Sequence, residues 1–387
     1  MGQGFLYYND RMLSNDLSDP IWVDNPAALA VMVHTLEQQP TLAVDTESNS
    51  LHAYREQVCL IQFSTPDNDY LVDPITLADL SPLGPLFNSP AIEKVFHAAE
   101  YDIICMRRDF GFDFANVFDT MIAGRILGKQ EVGLAAMLEA QFGVVLDKHF
   151  QRADWGLRPL TPPMLAYARL DTHYLLPLHE CLRVELQENQ RWSLAEEDFN
   201  RVCLSNGHAS ENGLEAFWRI TGAQDLEPKK AAVLRELCHY RDGQAQLINQ
   251  PPFKVLSNRA LLEIAQTTPR FIQELDLLPS MSARQVRKHA KGLLNAVQRG
   301  LASPPVKRPP CKRLDDQVMK RMENLHAWRK RTAQMLHVES DIALPRDVLN
   351  DIAVRNPSSL PELAGVMASV PWRFECYGAE LLKLIHS

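Results

Sequence analysis

Short apolar runs punctuate the first 200 residues of this 387-residue chain, and their composition predicts β-strands. The runs are rich in β-branched and aromatic residues and are separated by turn-forming residues such as the Pro-Asp-Asn-Asp of 66–69. Strands are predicted over 41–45, 58–64, 70–73 and 94–97. Three strands adjacent in sequence, followed by mixed α and β segments, predict an α/β layer fold.

Helical spacing of apolar residues fills most of the remaining part of this region. Helices are predicted over 102–110, 120–127, 133–142 and 161–190. Gly111 is placed to end the first of them, while Thr161 and Pro162 suit the N-cap and first helical position of the last. Pro177 is expected to kink or break that long helix.

From about residue 212 the pattern becomes wholly helical and repeats itself. Six residue pairs recur at an offset of 88 without a gap, among them Tyr240-Arg241 with Trp328-Arg329 and Ile264-Ala265 with Ile352-Ala353. We therefore predict two copies of one helical domain. A stretch with four prolines and four basic residues, 303–313, predicts an extended cationic linker between them. The predicted segments are 1–20 (N-terminal segment), 21–205 (α/β domain), 212–300 (first copy), 301–314 (linker) and 315–387 (second copy).

Net charge changes sign along the chain. The whole chain carries −8, but residues 1–200 hold 13 basic and 29 acidic residues, a net charge of −16, and the remainder carries +8. Such asymmetry favours a nucleic-acid or membrane-surface partner for the basic part. The longest apolar stretch, 27–33, is far below the ~18 residues needed to span a bilayer. The N-terminus shows no secretory signal, and seven cysteines without a C-x-x-C pair suit a reducing cytoplasm.

Carboxylates recur in the acidic part at the end of a predicted strand, at the start of a predicted helix and inside another helix. Asp45 and Glu47 share one face of a strand, Asp102 opens a helix, and Asp171 follows Tyr167 by one helical turn. Each signal alone has a plainer interpretation: a solvated acidic pair, a helix-capping anion or a local hydrogen bond. Carboxylates gathered together need a cation, and hard oxygen ligands select Mg²⁺ or Mn²⁺.

The ordered set of these residues resembles a known family. The segments Asp-Thr-Glu at 45–47, His-Ala-Ala-Glu-Tyr-Asp at 97–102 and Tyr-Ala-Arg-Leu-Asp at 167–171 resemble the three motifs of DEDD-superfamily 3′–5′ exonucleases of the tyrosine subtype. The segments 146–148, 153–160 and 171–177 resemble bacterial ribonuclease D, and the helical repeat is similar to the HRDC domain. The sequence departs from the family at Ser48, where an aromatic is common, and Pro345 and Pro371 replace Ser257 and Ala283 of the first copy.

The resemblance implies a ribonuclease H-like exonuclease domain, with a mixed sheet flanked by helices, followed by two all-α HRDC-like domains. It implies two divalent ions, Mg²⁺ or Mn²⁺: Asp45 would bridge both, Glu47 and Asp171 would complete the first site, and Asp102 would hold the second. Tyr167 would orient the attacking water, since a phenol with a pKa of ~10 is a poor base at neutral pH. The products would be 5′-mononucleotides released from a free 3′ end.

Further residues are candidates for nucleic-acid contacts. Gln62 and Phe63 could line the terminal-nucleotide pocket, although Phe63 equally suits a core. His97, Lys148, Arg152 and Arg158 lie near the motifs, with packing or ion pairing as the alternatives. In the basic part, phosphate contacts are expected from a stripe at i, i+3, i+4 and i+7 and from the linker: Arg284, Arg287, Lys288, Lys291, Lys307, Arg308, Lys312 and Arg313.

These features predict a cytoplasmic, metal-dependent 3′–5′ exoribonuclease that acts as a monomer without a membrane partner and trims tRNA precursors and other structured RNAs. The tRNA assignment depends on the resemblance alone. A DNA exonuclease of the Werner type remains an alternative, because only contacts to the 2′-hydroxyl separate the two. A non-catalytic RNA-binding factor that retains the fold is the alternative from another functional class.

Overall fold

The structure, a computed structural model, describes residues 18–206, 216–308 and 315–386. These residues form two compact units, each described here by itself. The first unit comprises 18–48, 58–206 and 315–386, so it combines the acidic part with the second helical copy. The second unit comprises 49–57 and 216–308, which pairs the first helical copy with the segment that follows 48. The boundaries predicted from sequence stay predictions. The predicted residues Lys312 and Arg313 lie outside the described residues.

A six-stranded mixed sheet is the centre of the first unit. Its strands are β1 (Ile21–Val23), β2 (Thr41–Ser48), β3 (Val58–Ser64), β4 (Asp69–Val72), β5 (Glu93–Phe96) and β6 (Val117–Asp119). They lie in the order β1-β4-β3-β2-β5-β6. The β2–β3 and β3–β4 pairs are antiparallel, and the other three are parallel. The predicted α/β layer fold is confirmed, and β1 and β6 are added to the four predicted strands.

Helices cover the sheet on both faces. They are α1 (Pro26–Leu36), α2 (Gly84–Asn88), α3 (Glu100–Phe110), α4 (Thr120–Ile126), α5 (Leu134–Phe142), α6 (Pro162–His173), α7 (Leu175–Glu188) and α8 (Trp192–Cys203). Gly111 ends α3 with φ 72°, a left-handed conformation that glycine adopts without strain. The predicted long helix is interrupted at Tyr174, and Pro177 lies in the first turn of α7, where its missing N–H costs no helical hydrogen bond.

Two apolar clusters fix the sheet between its helical layers. One contains Phe63, Phe87 and Phe96 with residues of α1 and α3. The other side carries Leu60 and Leu71, which pack with Trp155 and with residues of α6. Because side chains alternate along a strand, β3 contributes Phe63 to one face and Gln62 to the opposite face, towards α6. This alternation brings the motif residues of β2 and α6 to the same side of the sheet.

The second unit is all-helical in the part that belongs to the first copy. Its helices are α9 (Pro228–Leu247), α10 (Pro252–Val255), α11 (Asn258–Thr267), α12 (Ile272–Asp276) and α13 (Ala283–Ala302). The second copy, in the first unit, consists of α14 (Asp316–Leu336), α15 (Ser340–Ala343), α16 (Arg346–Arg355), α17 (Leu360–Val366) and α18 (Pro371–Ile385). Each helix of the second copy begins 88 residues after its counterpart, which is the offset found in the sequence.

The second copy packs against α7 and α8 through apolar and ionic contacts. Ile342 and Trp372 join the cluster that contains Phe118 and Phe199. Arg373 is fully buried and pairs with Glu197 and Asp198. Among the described residues, none of the six cysteines forms a disulfide, and no helix combines the length and apolar character needed to cross a lipid bilayer.

Candidate active site

The motif residues converge where β2 meets α6. Asp45 and Glu47 lie on one face of β2, whose pairing with β3 shifts register between Glu47 and Ser48. Tyr167 and Asp171 lie one turn apart on α6. Asp45, Glu47, Tyr167 and Asp171 all line one cavity of about 410 Å³. The grouping predicted from the spacing of these residues is therefore present in the folded chain.

Asp102 joins the group from the first turn of α3. It is buried, and the hydroxyl of Thr46, between Asp45 and Glu47 on β2, donates a hydrogen bond to its carboxylate. The position at a helix N-terminus favours a carboxylate there. Sequence reasoning did not single out Thr46, although it is the middle residue of the Asp-Thr-Glu motif.

Asp119 stabilises the turn that precedes α3, the helix that carries Asp102. Sequence reasoning missed this residue. Its carboxylate accepts hydrogen bonds from the backbone N–H groups of Ala98 (3.1 Å) and Ala99 (2.7 Å) and from Met121 and Ile122 (2.8 and 3.1 Å). Ala98 has φ 64°, a conformation that costs free energy in a residue with a Cβ. The four hydrogen bonds of Asp119 offset that cost, so the side chain both caps α4 and fixes the entry into α3.

Burial raises the pKa values of all four carboxylates, and neighbouring charges add to the effect at Asp45 and Glu47. Burial and the charges of Asp102, Asp171 and Glu47 raise the pKa of Asp45 well above its ordinary range, and burial with the neighbouring charges does the same for Glu47. Burial raises the pKa of Asp102 and of Asp171 to about 7. Among the described residues, none of the four has a salt bridge with a basic side chain. The site therefore gathers carboxylates that no basic side chain of the described residues pairs with directly.

Oxygen ligands and uncompensated negative charge fit a hard divalent cation. Among the described residues, however, no three His, Cys, Asp or Glu side chains converge closely enough to hold a metal ion by themselves. The carboxylates thus border a cavity, and no three of them surround one position as the ligands of a fully protein-bound ion would. Ligands of Mg²⁺ commonly include several waters and substrate phosphates beside one or two carboxylates, and such a site needs no closed protein cage.

Tyr167 is held as a neutral phenol. Its ring packs against Trp155 and Phe150, with ring centroids 6.0 and 5.8 Å apart. Burial raises its pKa, and the charges of Asp171 and Glu47 raise it further. The phenol can therefore donate or accept a hydrogen bond in the cavity but does not act as a base near neutral pH.

His97 and Lys148 also line the cavity. The Nδ1 atom of His97 lies 2.9 Å from the hydroxyl oxygen of Thr120, while its buried Nε2 has no hydrogen-bond partner among the described residues. Burial lowers the pKa of His97 to about 4, so the ring is neutral at pH 7. Lys148 is exposed. Its neighbour Asp147 also lines the cavity, and although Asp147 belongs to the Leu-Asp-Lys segment at 146–148, no pattern in the sequence selected it as a site residue.

Several other candidates lie away from the cavity. Phe63 is fully buried beside Phe87, so it packs in the core, and Gln62, directly opposite Asp45 on β3, is fully buried too. Arg158 binds Asp73 through two nitrogens at 2.6 and 2.7 Å, which makes it an ion-paired structural residue. The structure encloses Gln62 and Phe63 by packing and holds Arg158 in an ion pair, and the nucleotide contacts expected of these three residues stay predictions. Arg152 is exposed and is not among the residues that line the cavity.

The predicted basic stripe of the first helical copy lies on one face of α13. Arg284, Arg287, Lys288 and Lys291 are all exposed, whereas Val286, Ala290, Leu293 and Val297 on the opposite face are buried. Lys307 and Arg308 are exposed at the end of the described part of this copy. These cations are accessible to a polyanion.

Family comparisons match both parts of the chain. The profile of a 3′–5′ exonuclease family matches residues 20–187, and the HRDC domain profile matches 230–297 and 318–385. The two HRDC matches are offset by 88 residues, which confirms the predicted repeat.

Relatives and solved structures agree with these matches. The chain is 31 % identical to ribonuclease D of Gluconacetobacter diazotrophicus over 74 % of this chain and 73 % of that protein. It is 35 % identical to the exosome complex exonuclease RRP6 of Saccharomyces cerevisiae over 74 % of this chain and 41 % of that protein. The chain spans less than half the length of this and the other RRP6-type relatives that head the comparison. The crystal structure of Escherichia coli RNase D superposes with a TM-score of 0.70 at 25 % identity, covering 95 % of this chain and 99 % of that one.

Proposed function

The chain belongs to the ribonuclease D family of 3′–5′ exoribonucleases, and we propose that it removes 5′-mononucleotides from RNA 3′ ends by metal-dependent hydrolysis at the cavity bounded by Asp45, Glu47, Tyr167 and Asp171. The observation that carries this proposal is the convergence of three carboxylates and a neutral phenol on one 410 Å³ cavity. That volume lies in the range of about 300–1,000 Å³ typical of small-molecule sites. It suits a single terminal nucleotide.

Exonucleases of this family generally use divalent metal ions. Asp45, Glu47, Asp102 and Asp171 would hold two such ions, Mg²⁺ or Mn²⁺, and their oxygen-only chemistry and shared negative charge support that assignment. When bound, the ions would supply water activation at one side of the phosphate and charge stabilisation at the leaving 3′-oxygen. The raised pKa values of the carboxylates are those expected of ligands that a cation would keep ionised.

The chain's own residues would orient the reactants. Tyr167 would hold the attacking water by a hydrogen bond, and the aromatic contacts with Trp155 and Phe150 keep its ring in place. Thr46 would keep the Asp102 carboxylate turned towards β2. The neutral His97 offers an uncharged Nε2 near the terminal nucleotide, and Lys148 would bind a phosphate.

Structured RNAs, tRNA precursors among them, are the substrates that we propose. The support is the similarity to Escherichia coli RNase D, described as an exoribonuclease involved in structured RNA processing. The exposed cations of the first helical copy would bind the RNA backbone without reading sequence: Arg284, Arg287, Lys288, Lys291, Lys307 and Arg308. We further propose a cytoplasmic location, supported by the bacterial relatives and the cysteine usage, and a monomeric state.

The proposal is tested with purified protein and 5′-labelled RNA in Mg²⁺. We expect products shortened one nucleotide at a time from a free 3′-hydroxyl, no shortening of RNA that carries a 3′-phosphate block, and no reaction in EDTA. DNA of the same sequence serves as the comparison substrate. Equal degradation of DNA would contradict the ribonuclease assignment, and internal cleavage of blocked RNA would contradict the exonuclease assignment.

A further inference from the structure

A second cavity lies in the second unit, and half of the residues that line it are basic or aromatic. Its volume is about 580 Å³. Arg235, Cys238, His239 and Asp242 border it from one face of α9, at i, i+3, i+4 and i+7. Arg241 of the same helix also lines the cavity, and the rest of the lining comes from neighbouring segments and includes Tyr54, Phe217, Arg219 and Asn258. None of these residues belongs to the three exonuclease motifs or to the basic stripe on α13.

Positive charge exceeds negative charge in this lining. Three guanidinium groups face one carboxylate, that of Asp242, and both oxygens of this carboxylate accept the hydroxyl of Tyr54 at 2.9 Å. Glu236, beside the cavity, has its nearest basic partner in Arg299 at 3.1 Å and lies 3.8 Å from Arg235. The local carboxylates are therefore already engaged, and the cavity keeps a net positive charge.

The arginines retain hydrogen-bonding capacity. Arg219 is exposed and has no hydrogen bond or ion pair with the other described residues. Arg241 uses one nitrogen for the carbonyl oxygen of Leu256 (3.2 Å) and for Asn258 Oδ1 (2.7 Å), while its buried Nε has no partner among the described residues. The buried Nε of Arg235 likewise has none there. Burying unpaired donors costs free energy, so an acceptor that reaches these groups would bind favourably.

The size and chemistry of this cavity suit a nucleotide unit. Guanidinium groups pair with phosphate oxygens through two parallel hydrogen bonds, which makes arginine well suited to phosphates. Tyr54 provides an aromatic wall on which a base can stack, as in many proteins that bind single-stranded nucleic acid, while Phe217 borders the cavity as a buried core residue. A volume of 580 Å³ holds one nucleotide. Because Arg219 is exposed, the rest of a longer RNA strand can extend from the cavity into solvent.

We propose that this cavity is a second RNA-binding site, which holds one nucleotide of a single-stranded RNA segment with its phosphodiester on Arg219, Arg235 and Arg241. This inference requires only that RNA is the substrate and is independent of the chemistry at the carboxylate cavity. A free nucleoside monophosphate shares the phosphate chemistry, so the two sources must be separated experimentally.

The test measures binding of a fluorescent single-stranded RNA to the full-length chain in EDTA, by anisotropy over a series of salt concentrations. Arg219→Ala is expected to weaken binding several-fold and to reduce the slope of log K against log salt by about 0.7, the value for one phosphate contact on a single strand. Arg219→Lys keeps the charge and should retain the wild-type slope. Arg270→Ala is the matched control, because Arg270 is exposed in the same unit and does not line the cavity.

Circular dichroism melts of each variant verify that the fold is unchanged, and 5′-AMP serves as a competitor. Equal affinities and slopes for Arg219→Ala and Arg270→Ala would overturn the proposal. Competition by 5′-AMP, together with unchanged RNA affinity of Arg219→Ala, would assign the cavity to the mononucleotide and overturn the RNA assignment. Wild-type nuclease activity in Mg²⁺, measured on the same preparation, separates failure of this inference from failure of the proposed function.

Discussion

The ion cluster around Arg373 makes the second helical copy energetically dependent on α8. The guanidinium is 0 % exposed and donates to Glu197, to both oxygens of Asp198 (2.8 and 2.9 Å) and to the carbonyl oxygen of Ile342 (2.7 and 3.1 Å). Glu197 also accepts the backbone N–H groups of Trp372 (2.6 Å) and Arg373 (3.2 Å). Every N–H donor of the Arg373 guanidinium is therefore hydrogen-bonded where the second helical copy meets α8.

We expect Arg373→Ala to lower the free energy of unfolding by about 3–5 kcal/mol at pH 7, the usual cost of breaking a buried ion pair from one side. The loss is large because Glu197 and Asp198 would stay buried without their cation. The assay is urea unfolding followed by circular dichroism and tryptophan fluorescence. Arg201→Ala is the matched control, because Arg201 joins the same helix to Asp347, whose side chain is 68 % exposed. That pair is expected to contribute about 0–1 kcal/mol.

The pH dependence of the Arg373→Ala variant gives a second check. Burial already raises the pKa of Glu197 above its ordinary value, against the opposing effect of Arg373. Without Arg373 the folded-state pKa would rise further, so Glu197 would protonate in the folded variant as the pH falls. The destabilisation should therefore shrink between pH 7 and pH 5. A loss below about 1 kcal/mol at pH 7, or a loss that grows on acidification, would refute the reasoning.

Three further predictions concern the first unit. Tyr167→Phe should lower kcat about 100-fold, because the water loses its orienting hydrogen bond, while RNA affinity measured in EDTA stays unchanged; equal kcat values would exclude the orienting role. In EDTA the Tm should fall as the pH rises from 5 to 8, because Asp102 and Asp171, with pKa values raised to about 7, must ionise while buried, and Mn²⁺ should restore it; a Tm that rises with pH would contradict this. Phe63→Ala should cost about 3–5 kcal/mol of stability through a core cavity, with urea unfolding as the measurement and a cost below 1 kcal/mol as the contrary outcome.

Local sequence patterns predicted most of the architecture, because strand alternation, helix termini and repeat spacing can be seen in the sequence itself. The 88-residue offset reappears in the start of every helix of the second copy. The three-residue strands β1 and β6 were missed, since three residues are too few to display a period of two. The break near Pro177 was expected, but the structure places it at Tyr174, because proline fits the first turn of the following helix.

The site residues were less uniformly predictable, because several roles depend on partners distant in sequence. Arg158 is committed to Asp73, 85 residues away, and no local pattern reveals that pair. Asp119 gave no catalytic signal, since its importance comes from the backbone N–H groups of Ala98 and Ala99 that it meets only after folding. Phe63 and Gln62 are consecutive, and the sequence did not show that both would be enclosed by packing on opposite faces of β3.

The most direct test of the central claim is the rate at which Asp45→Asn shortens 5′-labelled RNA from its 3′ end in saturating Mg²⁺. Asp113→Asn is the matched control, because its side chain is 77 % exposed and lies outside the cavity. If the carboxylate cavity carries the reaction, Asp45→Asn loses about 100- to 1,000-fold in rate, the scale of removing a residue that stabilises charge in the transition state, and Asp113→Asn retains the wild-type rate. Equal rates for the two variants would contradict the account.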